Sequence, residues 1–551
     1  MRILGINAVF HDPAAAVVVD GRIVAAAEEE RFSRRKHGKP CVPFSTWELP
    51  ELSARWCLAE AGLRPDDLDA VAYSYDPSLA PPTLPGQDLT ADEWEPLRTL
   101  FTARAPRFLA TALPGLAPER VRFVPHHVAH AASAYLAGPH RDCSVLVTDG
   151  RGEATSYLAG RVRGGDLEVL ATQALPHSLG LLYEELTVHL SFHRSSDEYK
   201  VMALASYGEP RFLEALREQV YATEDGGFRV EGVDLAAYAP ARTSGDPYLA
   251  EHRDLASSVQ TRLEEVLLDL GRWLHARTGD AALVMAGGVA LNCVANARLA
   301  AEGPFEHVWV QPAAGDAGTA LGAALHTAHA MGDAVTPMGS AALGRAWSDA
   351  DLEQWLRDAA VPYERPDDLA EAVADVLASD GVVAWFQGRS EYGPRALGHR
   401  SFLADPRNPA NVERMNAVKG REEFRPVAPI VLLDAAPTIF DGVLPSPYML
   451  FVHRVRDGWR ERIPAVAHVD GTARAQTVDR TEEPLVAALL DAFARRTGVP
   501  VLVNTSLNTA GRPMVDDPRD ALECFGSSPV DVLALGPFLV RRPGSEGAAA
   551  R

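Results

Sequence analysis

The chain has 551 residues, of which 47% are apolar and 23% charged, with a formal net charge of -21. This length exceeds what one hydrophobic core organises, and the apolar fraction excludes disorder as the main state, so we expect two or more folded domains. The negative charge disfavours nucleic acid as a partner, because affinity for phosphate backbones comes from clustered Lys and Arg.

Residues 2–30 predict three strands joined by tight turns, the pattern of a β-meander. The same pattern returns at 144–173, which indicates an internal duplication. Helices are predicted in WELPELSARWCLAEAGL, HHVAHAASAYLAG and GTALGAALHTAHA, and a strand, a turn and a helix in ALVMAGGVALNCVANARLA. Two related halves of this kind are typical of the actin/hexokinase-like ATPase fold, in which a nucleotide binds between the halves.

The segment TPMGSAALGRAWSD (336–349) predicts a linker into a second α/β region. There the sequence indicates a helix in DLAEAVADVLASDG, a strand in VVAWF, an Arg-rich loop, and later strands in VPVLVN and VDVLALG. We therefore predict an α/β chain with domains at 1–340 and 341–545 and a disordered tail at 546–551.

The five cysteines are scattered and form no CxxC pair, which indicates reduced thiols in a cytosolic protein. The N-terminal sequence MRILGINAVFHD lacks the long apolar segment of a signal peptide. No stretch approaches the roughly 18 consecutive apolar residues of a membrane helix. These features predict a cytoplasmic protein without a membrane partner.

The sharpest constellation in the first region is the pair His126 and His130, which project from one face if this segment is helical and can then bind one metal ion. Asp149 ends an apolar strand and Asp316 lies in a turn after another, positions that commonly face a ligand cleft. Each Asp could instead cap a helix or turn, and such His pairs also occur as unrelated core or surface residues. Two imidazoles and two carboxylates without a thiolate suit Fe²⁺, Mn²⁺ or Zn²⁺.

Three glycine-rich turns follow predicted strands in the first region. Small residues there let backbone N–H groups approach phosphate oxygens, and a helix N-terminus favours anions. Any one of them is equally explained as a tight turn, but together they predict a nucleotide cleft. The candidate cofactor-binding residues here are Gly150, Gly152, Gly287, Gly288, Asn292 and Gly315.

Cationic side chains concentrate in turns of the second region although the chain as a whole is acidic. Gly and Pro punctuate the segment QGRSEYGPRALGHR, which indicates a fixed loop. Such clustering predicts the binding of small anions such as phosphates, with ion pairs on a solvated surface as the alternative. The candidate residues in and after this loop are Arg389, Arg395, His399, Arg400, Lys419, Arg474 and Ser506.

The segments HHVAHAASAY, GGVALN, GPRALGHRSFLADPRN, KGREEFRPVAP and NTSLN resemble those of the O-carbamoyltransferases that modify antibiotics and nodulation factors. This family includes nebramycin synthase and cephalosporin hydroxymethyl carbamoyltransferase. The resemblance runs from about residue 3 to about residue 540, and GPRALG…RSFLADPR is its most specific part. One segment departs from the family pattern, since MALASYG (202–208) stands where the family often has GLAPYG.

The resemblance implies an N-terminal carbamoyl-transfer domain of the ATPase fold and a C-terminal YrdC-like α/β domain. In this family the YrdC-like domain forms carbamoyl adenylate from carbamoyl phosphate and ATP. The N-terminal domain then transfers the carbamoyl group to an acceptor hydroxyl near a bound metal ion, for which Fe²⁺ is expected. Mg²⁺ is expected with ATP, the acceptor is expected to be a sugar moiety of a small molecule such as an antibiotic, and the oligomer, if any, a homodimer.

Carried over residue by residue, the resemblance implies metal ligation by His126, His130, Asp149 and Asp316. It implies anion binding and activation by Arg395, Lys419, Arg474 and Ser506, and a place near the transfer site for His11 and Lys36. We interpret His11 as the base that accepts the hydroxyl proton, and the alternative is a turn histidine that only hydrogen-bonds its own loop. Asp12 follows it directly, but adjacent residues in a strand point apart, so we expect a backbone or distant partner for the His11 ring.

A small-molecule kinase on the same ATPase fold is the main alternative, and it would leave the Arg-rich second region without a role. Threonylcarbamoylation of tRNA is disfavoured by the net charge of -21. A non-catalytic nucleotide sensor would bind ATP without turnover. Acceptor specificity is expected in loops such as 75–105 and 236–255, whose composition does not reveal the acceptor.

Overall fold

The computed structural model describes residues 1–38, 48–80 and 94–542. The chain divides into two compact units, Met1–Gly339 and Ser340–Arg551. The boundary between them lies within the segment 336–349 that the sequence predicts as a linker. The predicted tail at 546–551 lies outside the described residues.

The first unit contains two five-stranded sheets with helices packed against them. Its strands are β1 (Arg2–Asn7), β2 (Ala14–Val19), β3 (Arg22–Glu28), β4 (Ala70–Tyr73), β5 (Val121–Phe123), β6 (Cys143–Thr148), β7 (Thr155–Arg163), β8 (Asp166–Ala174), β9 (Val220–Ala222), β10 (Phe228–Val230), β11 (Ala282–Ala286) and β12 (His307–Val310). Its helices are α1 (Glu30–Ser33), α2 (Glu51–Glu60), α3 (Trp94–Ala112), α4 (His126–Tyr135), α5 (Leu179–His189), α6 (Glu198–Ala205), α7 (Leu213–Gln219), α8 (Ala250–Thr278), α9 (Cys293–Glu302) and α10 (Ala317–Ala330). Short 3-10 helices cover Pro65–Asp67, Pro118–Arg120, Leu235–Ala237 and Gly288–Leu291.

The two five-stranded sheets share one topology. Their strand orders are β3-β2-β1-β4-β5 and β8-β7-β6-β11-β12. In each sheet three strands form an antiparallel meander, and the first of them pairs in parallel with a fourth strand, which pairs in parallel with a fifth. The predicted duplication of a β-meander plus helices is therefore confirmed, and the first unit has the two related halves expected of an actin/hexokinase-like fold.

Helix α10 lies in close backbone contact with β1 and α4. A Cβ on Gly322 of α10 would overlap the carbonyl oxygen of Ala129 in α4, and a Cβ on Gly5 of β1 would overlap that of Ala320 in α10. Only glycine permits so close an approach between backbones. The Gly- and Ala-rich sequences of these elements thus fix α4 against the beginning of α10.

The second unit is built on a seven-stranded sheet of order β19-β15-β20-β14-β13-β21-β22. A three-stranded sheet of order β16-β17-β18 is formed by the segment between β15 and β19. Its strands are β13 (Val383–Phe386), β14 (Arg400–Ala404), β15 (Ala428–Leu432), β16 (Phe440–Asp441), β17 (His453–Val455), β18 (Thr472–Ala473), β19 (Gln476–Val478), β20 (Val501–Ser506), β21 (Val532–Leu535) and β22 (Phe538–Arg541). Its helices are α11 (Asp349–Asp358), α12 (Leu369–Ala378), α13 (Ala410–Val418), α14 (Ala436–Ile439), α15 (Pro484–Thr497) and α16 (Pro518–Ser527).

The core of the second unit forms where apolar strands meet amphipathic helices. Trp385 of β13, Phe402 of β14 and Phe493 of α15 are completely buried in it. The predicted helix in DLAEAVADVLASDG is α12, and the predicted strands are β13, β20 and β21, so the α/β character of this region is confirmed. Within residues 1–38, 48–80 and 94–542, no helix has the length and apolar character needed to cross a membrane.

Candidate functional site

Helix α4 carries the two histidines of the predicted metal site. His126 and His130 are one turn apart in this alanine-rich helix, and both are completely buried. The Nδ1 atom of His126 donates to the carbonyl oxygen of Ser74 at 3.1 Å. This bond leaves the lone pair on Nε2 of His126, the atom that faces two carboxylates.

These carboxylates approach the histidines from two other elements. Asp149 directly follows β6, and its Oδ2 lies 3.5 Å from Nε2 of His126 and 3.8 Å from Nε2 of His130. Asp316 directly precedes α10, and its Oδ1 lies 3.6 Å and 3.5 Å from the same two nitrogens. The N–H of Gly288 donates to the second Asp149 oxygen at 2.8 Å. The structure therefore brings together the four residues that the sequence predicts as metal ligands.

The donor set fits a divalent transition metal. Among the described residues, Nε2 of His126, Nε2 of His130 and Oδ2 of Asp316 are buried without a hydrogen-bond partner, which is rare for native polar atoms. Ligand atoms at about 2.0–2.2 Å from one tetrahedral ion lie roughly 3.3–3.6 Å apart. The nitrogen–oxygen distances here are 3.5–3.8 Å, so this cluster could hold such an ion. Imidazoles and carboxylates suit Fe²⁺, Mn²⁺ or Zn²⁺, and the cluster does not select among them.

The electrostatics of the cluster also favour a cation. Burial raises the pKa of the Asp149 and Asp316 carboxyls, but the neighbouring histidines outweigh burial and hold both pKa values below the usual range. Conversely, burial lowers the pKa of His126, but its contacts with the same two carboxylates raise that pKa well above its ordinary value. Two ionised carboxylates in a buried pocket need a positive charge close by, which the protonated imidazole supplies in this structure and a divalent metal ion would supply in its place.

A third histidine of α4, to which the sequence reasoning gave no role, also borders the cluster. His127 Nε2 lies 3.9 Å from Asp149 Oδ2, and its Nδ1 lies 2.8 Å from the Thr155 hydroxyl. Burial and the charge of His126 lower the pKa of His127 to about 3, so this ring is neutral. A Cβ on Gly152 would lie 3.0 Å from His127 Cε1, so Gly152 makes room for the ring. The adjacent histidines at the start of α4 were the sequence feature that could have pointed to His127.

His11 lies in the turn after β1, with Nε2 at 3.8 Å from Asp316 Oδ2. Its Nδ1 bonds Asp12 Oδ2 at 2.9 Å, so the expectation that Asp12 would not be its partner is wrong. Asp12 adopts a left-handed backbone conformation, with φ of 49°, which breaks the strand alternation on which that expectation rested. The Asn7 amide donates to the carbonyls of His11 and Asp12 at 3.0 and 2.9 Å and holds this turn. Lys36 is half-buried and directly precedes His37, which bonds Asp12 from the other side.

The glycine-rich turns lie beside the cluster, because β6, β11 and β12 run parallel and end at one edge of their sheet. Gly150 and Gly152 follow β6, Gly287 and Gly288 follow β11, and Gly315 follows β12. Gly287 has φ of 93°, and a Cβ there would overlap the carbonyl oxygen of Thr148. Asn292 has a structural task, since its Oδ1 accepts the Ala295 N–H at 3.1 Å as the N-cap of α9 and its amide also pairs with Gln260.

In the second unit, the predicted residues Lys419 and Ser506 are in contact. Lys419 follows α13, is 7% exposed, and donates from Nζ to the Ser506 carbonyl at 2.6 Å and hydroxyl at 2.8 Å. It also bonds the Asn508 side chain. Ser506 ends β20 opposite Ser401 of β14, directly beside the Arg-rich loop that precedes β14. Sheet register thus brings Ser506 and this loop to one edge, and Lys419 joins them through its bonds to Ser506.

The other predicted anion-binding residues have different surroundings. Arg395 is half-buried in the loop between β13 and β14, and Arg474 is half-buried just before β19. Arg389 donates to the Leu343 carbonyl at 2.8 Å, and His399 Nε2 pairs with Glu483 at 3.0 Å. Arg400 is completely buried, stacks on Phe386, and donates to the carbonyls of Gln387 at 2.6 Å and Gly388 at 3.2 Å. Its geometry favours a structural role in the loop over the predicted binding of a cofactor.

Glu391 organises the Arg-rich loop and was not assigned by the sequence reasoning. It is 1% exposed, and its Oε1 accepts the backbone N–H groups of Leu397, His399 and Arg400 at 2.7, 3.0 and 3.1 Å. The carboxylate therefore fixes the stretch that follows Arg395.

Of the loops expected to select the acceptor, 236–255 is described and includes the beginning of α8, whereas 81–93 of the loop 75–105 lies outside the described residues. The departing segment MALASYG covers the end of α6 and the turn after it.

Comparison with known proteins assigns both units. The family model described as the carbamoyltransferase N-terminus matches residues 2–80 and 113–325, and the carbamoyltransferase C-terminus matches residues 374–542. The chain belongs to the carbamoyltransferase family. It is therefore an enzyme of carbamoyl transfer, and the resemblance read from its motifs is confirmed.

Relatives within this carbamoyltransferase family align over nearly the whole chain. Nodulation protein NolNO of Sinorhizobium fredii is 39% identical, covering 97% of this chain and 80% of that protein. Nodulation protein U of Rhizobium tropici is 32% identical, covering 95% and 93%. Among solved structures, an activator of 2-hydroxyisocaproyl-CoA dehydratase from Clostridium difficile covers 62% of this chain and 100% of its own at 12% identity, and its TM-score of 0.35 is too low to support a conclusion.

Proposed function

We propose that this carbamoyltransferase uses ATP and carbamoyl phosphate to carbamoylate a hydroxyl of a small molecule, through a carbamoyl adenylate. The observation that carries the proposal is the buried cluster of His126, His130, Asp149 and Asp316 in a chain of the carbamoyltransferase family. Glycine-rich turns border the cluster, as a bound nucleotide requires. The second unit holds a separate group of cations.

The first half-reaction belongs, in this proposal, to the second unit, a YrdC-like domain. Carbamoyl phosphate, ATP and water give carbamoyl adenylate, phosphate and pyrophosphate. Lys419, Arg395 and Arg474 offset the negative charge of the phosphates. The hydroxyl of Ser506 accepts from Lys419 and donates to Asn508 Oδ1, and it redirects this hydrogen to a phosphate oxygen when the substrates bind. Mg²⁺ accompanies ATP. The loop fixed by Glu391 gives this site its rigidity, which supports preorganised stabilisation of charge.

The second half-reaction belongs to the first unit. The acceptor oxygen forms a bond to the carbamoyl carbon, the bond from that carbon to the AMP oxygen breaks, and the hydroxyl proton passes to Nε2 of His11. His126, His130, Asp149 and Asp316 hold the metal ion, taken to be Fe²⁺, which supplies Lewis-acid polarisation when bound. Backbone N–H groups at Gly150 and Gly315 bind the adenylate phosphate, whereas those of Gly152 and Gly287 donate to the carbonyls of Thr155 and Ala314 and shape the turns around it. Lys36 adds a cation beside the His11 turn.

The class of acceptor is proposed from the relatives. They are nodulation proteins, and enzymes of this family modify sugar hydroxyls of nodulation factors and antibiotics, so we propose a sugar moiety of a natural product as the acceptor. A cytoplasmic location, where ATP and carbamoyl phosphate are available, and a homodimer are parts of the same proposal. The net charge of -21 continues to disfavour tRNA as the acceptor.

The test is a reaction of the purified, metal-containing protein with ATP, [¹⁴C]carbamoyl phosphate and a panel of sugar-bearing antibiotics and oligosaccharides. We expect release of pyrophosphate and AMP that depends on carbamoyl phosphate, and acceptor products heavier by one carbamoyl group in mass spectra. The kinase alternative predicts ADP and a phosphorylated acceptor instead. Formation of ADP without AMP would therefore reject the proposal.

A further inference from the structure

A chain of hydrogen bonds leads from His11 away from the metal cluster. Asp12 accepts from both of its neighbours, with Oδ2 at 2.9 Å from His11 Nδ1 and Oδ1 at 2.7 Å from His37 Nδ1. The other ring nitrogen of His37, Nε2, lies 2.9 Å from the Ser196 hydroxyl. One carboxylate thus joins two imidazoles that are 26 residues apart in the sequence.

A second metal site is the obvious alternative, because Asp12, Glu30 and His37 offer three ligand atoms close together. The contacts argue against it. Each oxygen of Asp12 already accepts from an imidazole, and Oε2 of Glu30 accepts from the backbone N–H of His37 at 2.9 Å. The His126 cluster differs in this respect, because Nε2 of His126 and Nε2 of His130 face carboxylates but form no hydrogen bond within the described residues. The Asp12 group is complete as a hydrogen-bond network.

Backbone conformation supports a dedicated role for this network. Asp12, His37 and Ser195 have φ values of 49°, 60° and 56°, in the left-handed region that residues other than glycine rarely adopt. Three such residues lie in or beside one hydrogen-bond chain. Strained backbone of this kind collects where geometry serves function.

We infer that His37 is a positioning residue for carbamoyl transfer, acting through Asp12 on His11. A carboxylate can only accept hydrogen bonds, so both Nδ1 atoms carry hydrogen. In the neutral ring, a hydrogen on Nδ1 leaves the lone pair on Nε2, which lies 3.8 Å from Asp316 Oδ2. His37 holds the far oxygen of Asp12, which keeps the near oxygen aligned with His11. The arrangement follows the logic by which an aspartate fixes the tautomer of a catalytic histidine.

The inference rests on the proposed transfer reaction, and isosteric variants of His37 test it. Asn places an amide nitrogen where His37 Nδ1 lies and keeps the bond to Asp12. Gln places its amide where Nε2 lies and keeps only the bond to Ser196. The assay follows transfer from [¹⁴C]carbamoyl phosphate and ATP to methyl glucoside, with water as the reference acceptor, and pyrophosphate release is measured in parallel.

We expect His37→Gln to lower the kcat of transfer by about 10-fold or more, the loss typical of an outer-shell partner, with KM for the acceptor and pyrophosphate release unchanged. His37→Asn should stay within about threefold of the wild type, and so should the matched control Ser196→Ala, which removes only the outer contact. Equal activity of the Asn and Gln variants, high or low, would overturn the inference.

Crystal structures of the same two variants separate this inference from the proposed function. If the wild type transfers carbamoyl to no acceptor, the proposed function fails, but the positioning role is still tested. We expect the Asp12 Oδ2 to His11 Nδ1 contact of 2.9 Å to persist in His37→Asn and to be lost in His37→Gln. Its persistence in the Gln variant would reject the role of His37 whatever the activity.

Discussion

The close contact between α4 and α10 predicts that a single methyl group at Gly322, which is not itself a proposed ligand, prevents the His126 cluster from binding a metal ion. In Gly322→Ala the new Cβ would lie 2.7 Å from the Ser133 nitrogen and 2.9 Å from the Ala129 carbonyl carbon. Non-bonded heavy atoms prefer about 3.5 Å, so the contact with the Ser133 nitrogen alone requires the two helices to separate by roughly 0.8 Å, and the overlap with the Ala129 carbonyl oxygen requires more. His130 follows Ala129 directly, and Asp316 precedes α10, so the separation acts on both sides of the cluster.

Metal sites tolerate ligand displacements of about 0.2 Å, and the expected shift is several times larger. We therefore expect Gly322→Ala to contain less than about a tenth of the wild-type metal, because its ligands no longer converge. Overpacking of this kind costs about 1–3 kcal/mol in the free energy of unfolding, which leaves a folded protein to measure. Elemental analysis of the purified variant gives the metal content, and thermal melting followed by circular dichroism confirms the fold.

The matched control is Gly526→Ala, the same substitution in helix α16 of the second unit. A Cβ there meets no described atom within 4 Å. Alanine favours helix over glycine by up to about 1 kcal/mol, so the control should keep its metal and its stability. A folded Gly322→Ala protein with full metal content and wild-type transfer would refute the reasoning that backbone contact between α4 and α10 sets the ligand geometry.

Three further predictions separate the two half-reactions. The double variant His126→Ala/His130→Ala should contain no tightly bound transition metal by elemental analysis but should still release pyrophosphate, and full occupancy would rule out these ligands. Lys419→Met should abolish carbamoyl-phosphate-dependent pyrophosphate release but keep the metal, because it removes the cation that holds Ser506. Normal pyrophosphate release by this variant would show that Lys419 has no part in adenylate formation. His11→Ala should lower acceptor carbamoylation by about 10²-fold or more, as expected for loss of a general base, with pyrophosphate release and metal content intact. Transfer at the wild-type rate would remove His11 from the mechanism.

Helical spacing and element ends indicated the cluster of His126, His130, Asp149 and Asp316, and the family resemblance favoured this reading over capping roles for the two aspartates. His126 and His130 are one helical turn apart, which is visible in the sequence, and Asp149 and Asp316 follow strands whose parallel pairing brings their ends to one edge. The duplicated meander was equally visible, because alternation and glycine turns at 2–30 recur at 144–173. These features depend on local patterns and on general rules of sheet geometry.

The second unit shows where composition misleads. An arginine in a loop of an acidic protein is predicted to bind an anion, and for Arg395 this prediction stands. Arg400 does not, because its guanidinium is completely buried and bonds the carbonyls of Gln387 and Gly388. Its partner in shaping the loop, Glu391, carries the opposite charge and was passed over. Whether a charged side chain faces a ligand or its own backbone depends on tertiary packing, which composition does not encode.

The network at His11 depends on backbone conformation. Strand alternation predicts that His11 and Asp12 point apart, and it fails because φ at Asp12 is 49°. The sequence carries a weak sign of this, since aspartate is among the few residues that tolerate the left-handed region and Pro13 follows it. His37 had no sign at all, because its contact with Asp12 spans 25 residues and requires a left-handed residue at its own position. The proposed metal ligands could be recognised from sequence patterns, whereas a residue that positions another side chain is recognised only from its contacts in the fold. The His37 variants therefore test a role that only the structure could assign.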